Sequence, residues 1–100
     1  MSNTNKIPAW LDLRADAVTV TLSKVIEANS VQVDKLTLRA PTVRDIRAAT
    51  QASNGDDEQR ELILFASLAE VSPNDLETLA LKDYTRLQAG YFRLVQDDEL

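Results

Sequence analysis

A change of hydrophobic period in the middle of the chain divides it into two structural halves. Leu36 and Leu38 alternate with polar side chains, which is the pattern of a half-buried strand. Pro41 lacks the amide proton that a strand ladder requires, and Thr42 can accept a hydrogen bond from the backbone of Asp45, as a helix N-cap does. The sequence therefore predicts strands before Pro41 and helices after it, which is an α+β fold.

Residues 17–39 predict a small antiparallel β-hairpin or sheet of two or three strands. Val18 and Val20 alternate with threonines, which is the period of a strand with one buried face. Asn29 and Ser30 separate two apolar segments and predict a hairpin turn, although glycine is favoured at the second of these positions. We expect the face that meets the helices to hold Val18, Val20, Leu36 and Leu38.

Three to four α-helices are predicted between about residues 42 and 96. Ser72, followed by a proline and by Asp75 three residues later, is typical of a helix start with a capping box. Apolar residues follow at helical spacing to Ala80, so we expect this helix to continue to a short break near residues 81–82. The last helix, which we expect Asp83 to cap, carries an apolar stripe at helical spacing. Gly90 within it costs about 1 kcal/mol relative to alanine and indicates a close helix approach.

The length and composition fit one small domain. The chain has 100 residues, of which 44% are hydrophobic, so it can bury a modest core. We interpret residues 10–96 as a single α+β domain. Residues 1–9 are polar and read as a flexible N-terminal arm, and the acidic residues 97–100 read as a frayed tail, because negative charge opposes the dipole at a helix C-terminus.

The composition also argues against an enzyme. The chain has no histidine and no cysteine, so it lacks the usual neutral-pH general base, the commonest metal ligand and any thiolate. Its acidic residues do not have the spacing of a calcium loop, and its two glycines do not form a phosphate-binding loop. We therefore predict no catalytic residues, no cofactor and no metal. Without a signal-peptide core or an apolar run of about 18 residues, the sequence predicts a cytoplasmic protein that does not bind membranes.

Charge is unevenly distributed along the chain. Residues 1–55 contain seven basic and five acidic side chains, a net charge of +2, whereas residues 56–100 contain four and eleven, a net charge of −7. The acidic half repels phosphate backbones, so we expect no nucleic-acid binding. Opposite charges on one domain favour contacts between copies, which predicts a weak homo-oligomer that dissociates as salt rises.

Several segments, taken in order, resemble those of a known family. They are Val18 to Ser23, Ile26 to Asn29, Leu36 to Thr42 followed by Asp45, Leu64 to Leu68, and Asp83-Tyr84. Together they resemble the Mu-like phage tail assembly chaperone family, also called tail assembly protein E, from about Val18 to Leu94. The sequence departs from the family pattern at Val25, where a proline is expected, and at Ser30, where a glycine is expected.

The resemblance implies a specific role. A protein of this family would bind the tape-measure protein and keep this long, helical protein soluble while the tail tube polymerises around it. It would act in the cytoplasm of the bacterial host and be absent from the mature virion. The resemblance also suggests two further partners, the tail tube protein and a longer form of the chain itself produced by translational frameshifting.

The partner-binding surface is predicted on the helical half. An amphipathic helix of the tape measure would dock on apolar positions there, and the acidic surroundings predict that this helix is basic. Some of the same positions must also build the core, and the sequence does not separate the two roles. The residues predicted to bind the partner are Phe65, Leu68, Tyr84, Leu87, Tyr91 and Leu94.

The alternative is a small phage-encoded DNA-binding regulatory domain, because helices joined by short turns can form a helix-turn-helix. A recognition helix requires basic residues on its groove face. Residues 56–81 contain seven acidic side chains and only Arg60 as a base, which favours the chaperone.

Overall fold

The computed structural model describes residues 7–96, in which a three-stranded antiparallel sheet precedes four helices. The predicted α+β fold is therefore confirmed. The predicted tail at 97–100 and the first six residues of the predicted arm lie outside the described residues. The elements are β1 (Leu11–Leu13), β2 (Ala17–Ala28), β3 (Val31–Arg39), α1 (Val43–Ser53), α2 (Asp57–Ala69), α3 (Pro73–Leu76) and α4 (Leu81–Val95).

The sheet has the order β1-β2-β3, and its first strand lies outside the predicted range. Leu11 of β1 pairs with Val20 of β2. Val20 and Val18 pair on their other side with Leu36 and Leu38 of β3. All five side chains are buried, and they form the face on which α2 and α4 pack. The predicted core face is thus confirmed, and β1 extends it by one strand.

The hairpin turn between β2 and β3 lies at the predicted position. Asn29 and Ser30 have φ angles of 55° and 65°, and a positive φ at both turn positions matches the twist of the flanking strands. Ser30 adopts this conformation without being a glycine. Asn29 secures the turn, because its side-chain amide donates to the carbonyl of Glu70 at 3.0 Å and its backbone N–H donates to Asp75 at 3.2 Å.

A wide bulge interrupts the pairing of β2 with β3. Thr21 pairs with Lys35 and Ile26 pairs with Val33, so a step of five residues along β2 corresponds to a step of two along β3. Residues 22–25 of β2 therefore lie opposite Asp34 alone, and a bulge of this kind frees backbone N–H groups from the ladder. Those groups need other acceptors, because an unpaired backbone donor is costly when buried.

The last helix approaches the sheet closely at its glycine. Gly90 is buried, and a Cβ atom built on it would lie 3.1 Å from Leu11 Cδ1 and 3.2 Å from Val20 Cγ2. These distances are shorter than ordinary carbon contacts, so a side chain here would push α4 away from β1 and β2. The close approach expected from the sequence is confirmed.

Two expectations about helix boundaries are wrong. Asp83 does not cap α4, since the helix begins at Leu81 and its N-cap, Ala80, makes no side-chain hydrogen bond. Asp83 is instead the third helical residue and is fully buried. The helix that starts after Ser72 ends at Leu76 after a single turn. The next backbone hydrogen bonds, from Thr78 to Asp75 and from Leu79 to Leu76, span three residues instead of the four of an α-helix.

The capping box before α3 leads to a stability prediction. Ser72 Oγ accepts from the Asp75 N–H at 3.1 Å, and the Asp75 carboxylate accepts from the Ser72 N–H at 3.4 Å. Ser72→Ala removes one acceptor, so we expect the free energy of unfolding to fall by about 1 kcal/mol in chemical denaturation. Ser67→Ala, on the exposed side of α2, is the control and should not lower stability. Equal midpoints for Ser72→Ala and the wild type would contradict the capping role.

Candidate partner-binding surface

The six residues predicted to bind a partner fall into two groups. Phe65, Leu68 and Leu87 are buried in the core between the sheet and the helices. A partner cannot reach them while the domain is folded. The half-buried members, which keep part of their surface in solvent, are Tyr84, Tyr91 and Leu94.

Tyr84 and Tyr91 both pack against Phe65. Their ring centroids lie 5.7 Å and 5.1 Å from that of Phe65, in tilted arrangements that favour aromatic contact. The Tyr84 hydroxyl donates to Glu61 Oε1 at 2.8 Å, and Gln88 donates to the same oxygen. Burial and the neighbouring Glu61 carboxylate raise the pKa of Tyr84 well above its ordinary value. Tyr84 therefore links α4 to α2, whereas Tyr91 lines a groove at the surface.

That surface is an open apolar groove between the start of α1 and the end of α4, here called the α1–α4 groove. Val43 and Val95 stand at its rim with 75% and 46% of their surface exposed. Tyr91 and Leu94, two of the predicted partner-binding residues, form one wall. The residues lining the groove are Ala40, Pro41, Thr42, Val43, Ile46, Tyr91, Leu94 and Val95.

The apolar surface continues beyond the groove on both helices. Phe92 of α4 is 62% exposed and lies one helical turn from Val95. On the other side, Val43 is shared with a shallow depression on the outer face of α1, here called the α1 hollow. It is lined by Val43, Arg44, Arg47, Ala48 and Gln51. An exposed apolar surface that spans two elements is typical of a protein-binding site.

The start of α1, which forms one wall of the groove, is held firmly. Thr42 is the predicted N-cap, and it forms a full capping box with Asp45, whose carboxylate accepts from the Thr42 N–H at 2.8 Å. Arg39 at the end of β3 donates to both oxygens of Asp45, at 2.8 Å and 3.0 Å. These bonds from Arg39 and Thr42 hold the pKa of the Asp45 carboxyl well below its ordinary value. These bonds at the strand-to-helix junction therefore fix the start of α1, which places Val43 at the rim.

The other wall, α4, is fixed by the buried carboxylate of Asp83. It accepts from the backbone N–H groups of Ser23 and Lys24 at 2.9 Å and 3.2 Å, and from the Ser23 hydroxyl at 3.1 Å. These are the donors that the bulge in β2 frees from the ladder. Arg86 lies one turn further along α4, within 3.9 Å of Asp83, and donates to the Thr21 carbonyl at 2.8 Å. The network attaches α4 to the sheet at its first turn.

Other polar clusters have structural roles. Asp56, in the acidic segment before α2, caps that helix by accepting from the N–H groups of Glu58 and Gln59 at 3.0 Å and 3.2 Å. Within residues 7–96, no group of three or more carboxylates gathers in a way that could hold a metal ion. The groove and the hollow are depressions with largely apolar linings, and what they suit is an apolar partner.

A family model described as phage tail assembly chaperone proteins, E, or 41 or 14, matches residues 19–96. The match covers most of the chain, from Thr19 in β2 to the end of α4. The chain belongs to the phage tail assembly chaperone family. No curated protein and no solved structure matches the chain. Membership indicates a non-enzymatic role in tail assembly within the host cell. Among the described helices, none is long and apolar enough to cross a membrane.

The segments that carry the resemblance to this chaperone family build the scaffold of the domain. Ser23, in the bulge of β2, donates to Asp83 of α4, and Asn29 anchors the hairpin turn. Thr42 and Asp45 cap α1. The side chains at the rim of the groove lie mostly outside these segments. The motif therefore specifies how the helices are held, and the exposed surface is a separate feature.

The part of this surface that lies on the last helix could be found from the sequence. Phe92 and Val95 extend the apolar stripe of the last helix and could be found from its width. Val43 could not, because its spacing from Ile46 is that of two neighbours on a core-facing stripe. Whether Val43 is exposed depends on how the helices pack in the folded domain, and the spacing within one helix does not determine this.

Proposed function

We propose that this protein binds the tape-measure protein of its phage and keeps it soluble while the tail tube assembles. Membership in the tail assembly chaperone family supports this role. The observation that carries the proposal is the apolar surface around the α1–α4 groove, with Val43, Phe92 and Val95 between 46% and 75% exposed. A helical protein that awaits assembly exposes apolar stripes, and covering them prevents aggregation.

The groove suits a helical ligand. Two helices border it, and in helix-in-groove recognition an amphipathic helix places residues at i, i+3, i+4 and i+7 into such a depression. Tyr91 and Leu94 would contact the ligand from the wall, and Phe92 would cover its side. Aromatic residues with partial exposure commonly dominate the energy of such contacts.

The wider setting of the proposal follows from the same family. The protein would act in the host cytoplasm before the tail is complete and would be absent from the mature virion. The tail tube protein and a frameshifted longer form of the chain are further candidate partners. Weak self-association, expected from the uneven charge along the sequence, would be compatible with transient binding.

The test is co-expression of the chain with the tape-measure protein encoded beside it. Phe92→Glu and Val43→Glu place a charge on an exposed apolar contact, so we expect the affinity for the tape measure to fall at least about 30-fold. Less tape measure should then remain in the soluble fraction. Leu81→Glu is the matched control, because Leu81 is 80% exposed at the opposite end of α4.

The contrary outcome is equally specific. All three variants should keep the circular dichroism spectrum of the wild type, since the substituted side chains are exposed. If folded Phe92→Glu and Val43→Glu proteins bind the tape measure as well as Leu81→Glu does, the groove is not the binding surface. The strand half of the domain then becomes the better candidate.

The structure does not favour the DNA-binding alternative. α3 has four residues, so it is about 6 Å long and too short to serve as a recognition helix. α2 is longer, but its first turn carries Asp57 and Glu58, which would meet the phosphate backbone with like charge.

A further inference from the structure

Two positively charged side chains of α1 lie beside the α1–α4 groove. In the described part of the chain, the charged residues that line the groove or the α1 hollow are Arg44 and Arg47. Both are exposed and lie one helical turn apart on the outer face of α1, beside Val43 and Ala48. The apolar surface is thus bordered by two positive charges.

These two charges are not neutralised by a carboxylate within residues 7–96. The nearby Asp45 is engaged by Arg39 through both of its oxygens. The ion pairs that the described residues form involve four other basic side chains, which are Arg14, Lys35, Arg39 and Arg86. Arg44 and Arg47 therefore remain available to a ligand.

In the last two turns of α4, from residue 88 to 95, no side chain is acidic. Arg93 follows Phe92 in α4 and is basic. Burial raises the pKa of Tyr91, while the charge of Arg60 lowers it and that of Glu61 raises it. The charges of Arg60 and Glu61 therefore act on Tyr91 in opposite directions. Among the described residues, the charged side chains that line the groove or the hollow are the two arginines of α1.

We propose that the groove binds an amphipathic helix whose apolar stripe is flanked by acidic residues. This inference rests on the proposed function and specifies the chemistry of the segment that is bound. The net charge of residues 56–100 predicts a basic helix, but the described carboxylates of that half do not line the groove, so the expected charge of the ligand is reversed. At physiological salt the Debye length is about 8 Å, so charges that border the groove act on a ligand more strongly than charges further away.

The first experiment compares two synthetic peptides of about 20 residues with the same leucine stripe, one flanked by glutamates and one by lysines. With the full chain in low salt, we expect the acidic peptide to bind at least about tenfold more tightly. Fluorescence anisotropy measures both affinities. The difference should shrink as salt rises, because exposed charges are screened.

A charge-reversal pair locates the effect. Arg44→Glu/Arg47→Glu should remove the preference for the acidic peptide or reverse it. Arg14→Glu/Lys82→Glu makes the same change in net charge at exposed positions that line neither depression, and should leave the preference intact. A preference that both double variants lose alike would reflect net charge alone and would overturn the proposal.

Other results would also overturn it, and they are separable from failure of the proposed function. A wild-type chain that binds the lysine peptide as well as the glutamate peptide, or binds neither, refutes the acidic ligand, whereas Phe92→Glu tests tape-measure binding independently. If a chain ending at Gln96 binds the acidic peptide more than about tenfold tighter than the full chain does, the chain's own acidic end is the occupant. A dimer that Arg44→Glu/Arg47→Glu dissociates would make a second copy the occupant.

Discussion

Asp83→Ala is expected to lower the free energy of unfolding by about 3–5 kcal/mol, since it removes the acceptor at the centre of a buried network. The carboxylate is fully buried and accepts from the backbone N–H groups of Ser23 and Lys24 and from the Ser23 hydroxyl. Without it, two backbone donors of the bulge lose their partner. Arg86 also loses the opposite charge beside it.

Urea denaturation measures this effect, and two further variants define its origin. Asp83→Asn keeps one carbonyl oxygen but directs an amide toward a donor, so its loss should be smaller than that of Asp83→Ala. Asp12→Ala removes an exposed carboxylate paired with Arg14 at 3.1 Å and should change stability by less than about 1 kcal/mol. If Asp83→Ala costs no more than Asp12→Ala, the network does not hold α4 to the sheet.

Features that depend on neighbouring residues could be predicted from the sequence. Thr42 with Asp45, and Ser72 with Asp75, cap their helices as expected, because a capping box is complete within four residues. The strand period, the hairpin turn and the close approach at Gly90 are equally local signals. They were sufficient to identify the α+β fold.

Features that join distant residues could not be predicted in the same way. β1 has three residues, which is too short for its alternation to be recognised. Asp83 has the spacing of a helix cap, but its partners in the bulge are 59 and 60 residues away in the sequence. A single sequence does not indicate which distant backbone groups a carboxylate will meet.

The candidate site shows the same division. The apolar stripe of α4 contains both Leu87, which is buried, and Tyr91 and Leu94, which are half-buried. The period of a helix identifies the face but not how far the neighbouring elements cover it. The apolar residues at the end of α4 are only partly covered, and Tyr91, Leu94 and Val95 line the groove together with Val43.

The second large effect compares the same substitution at two positions of α4. Leu87→Glu is expected to cost at least about 4 kcal/mol, because it removes a fully buried leucine and places a carboxylate among apolar side chains. Such a loss is a large part of the total stability of a small domain, about 5–15 kcal/mol, so much of the variant should be unfolded. Phe92→Glu, five residues later at an exposed position, should change stability by less than about 1 kcal/mol.

Circular dichroism and chemical denaturation separate the two variants before any binding experiment. Both should lose the tape measure, but Leu87→Glu through loss of the fold and Phe92→Glu through loss of a contact. Leu87→Ala offers a milder truncation, which should lower stability by about 3 kcal/mol and leave the groove of the folded fraction intact. A Leu87→Glu protein with the wild-type denaturation midpoint that no longer binds the tape measure would instead place Leu87 on the partner surface, and the core would have to be reassigned.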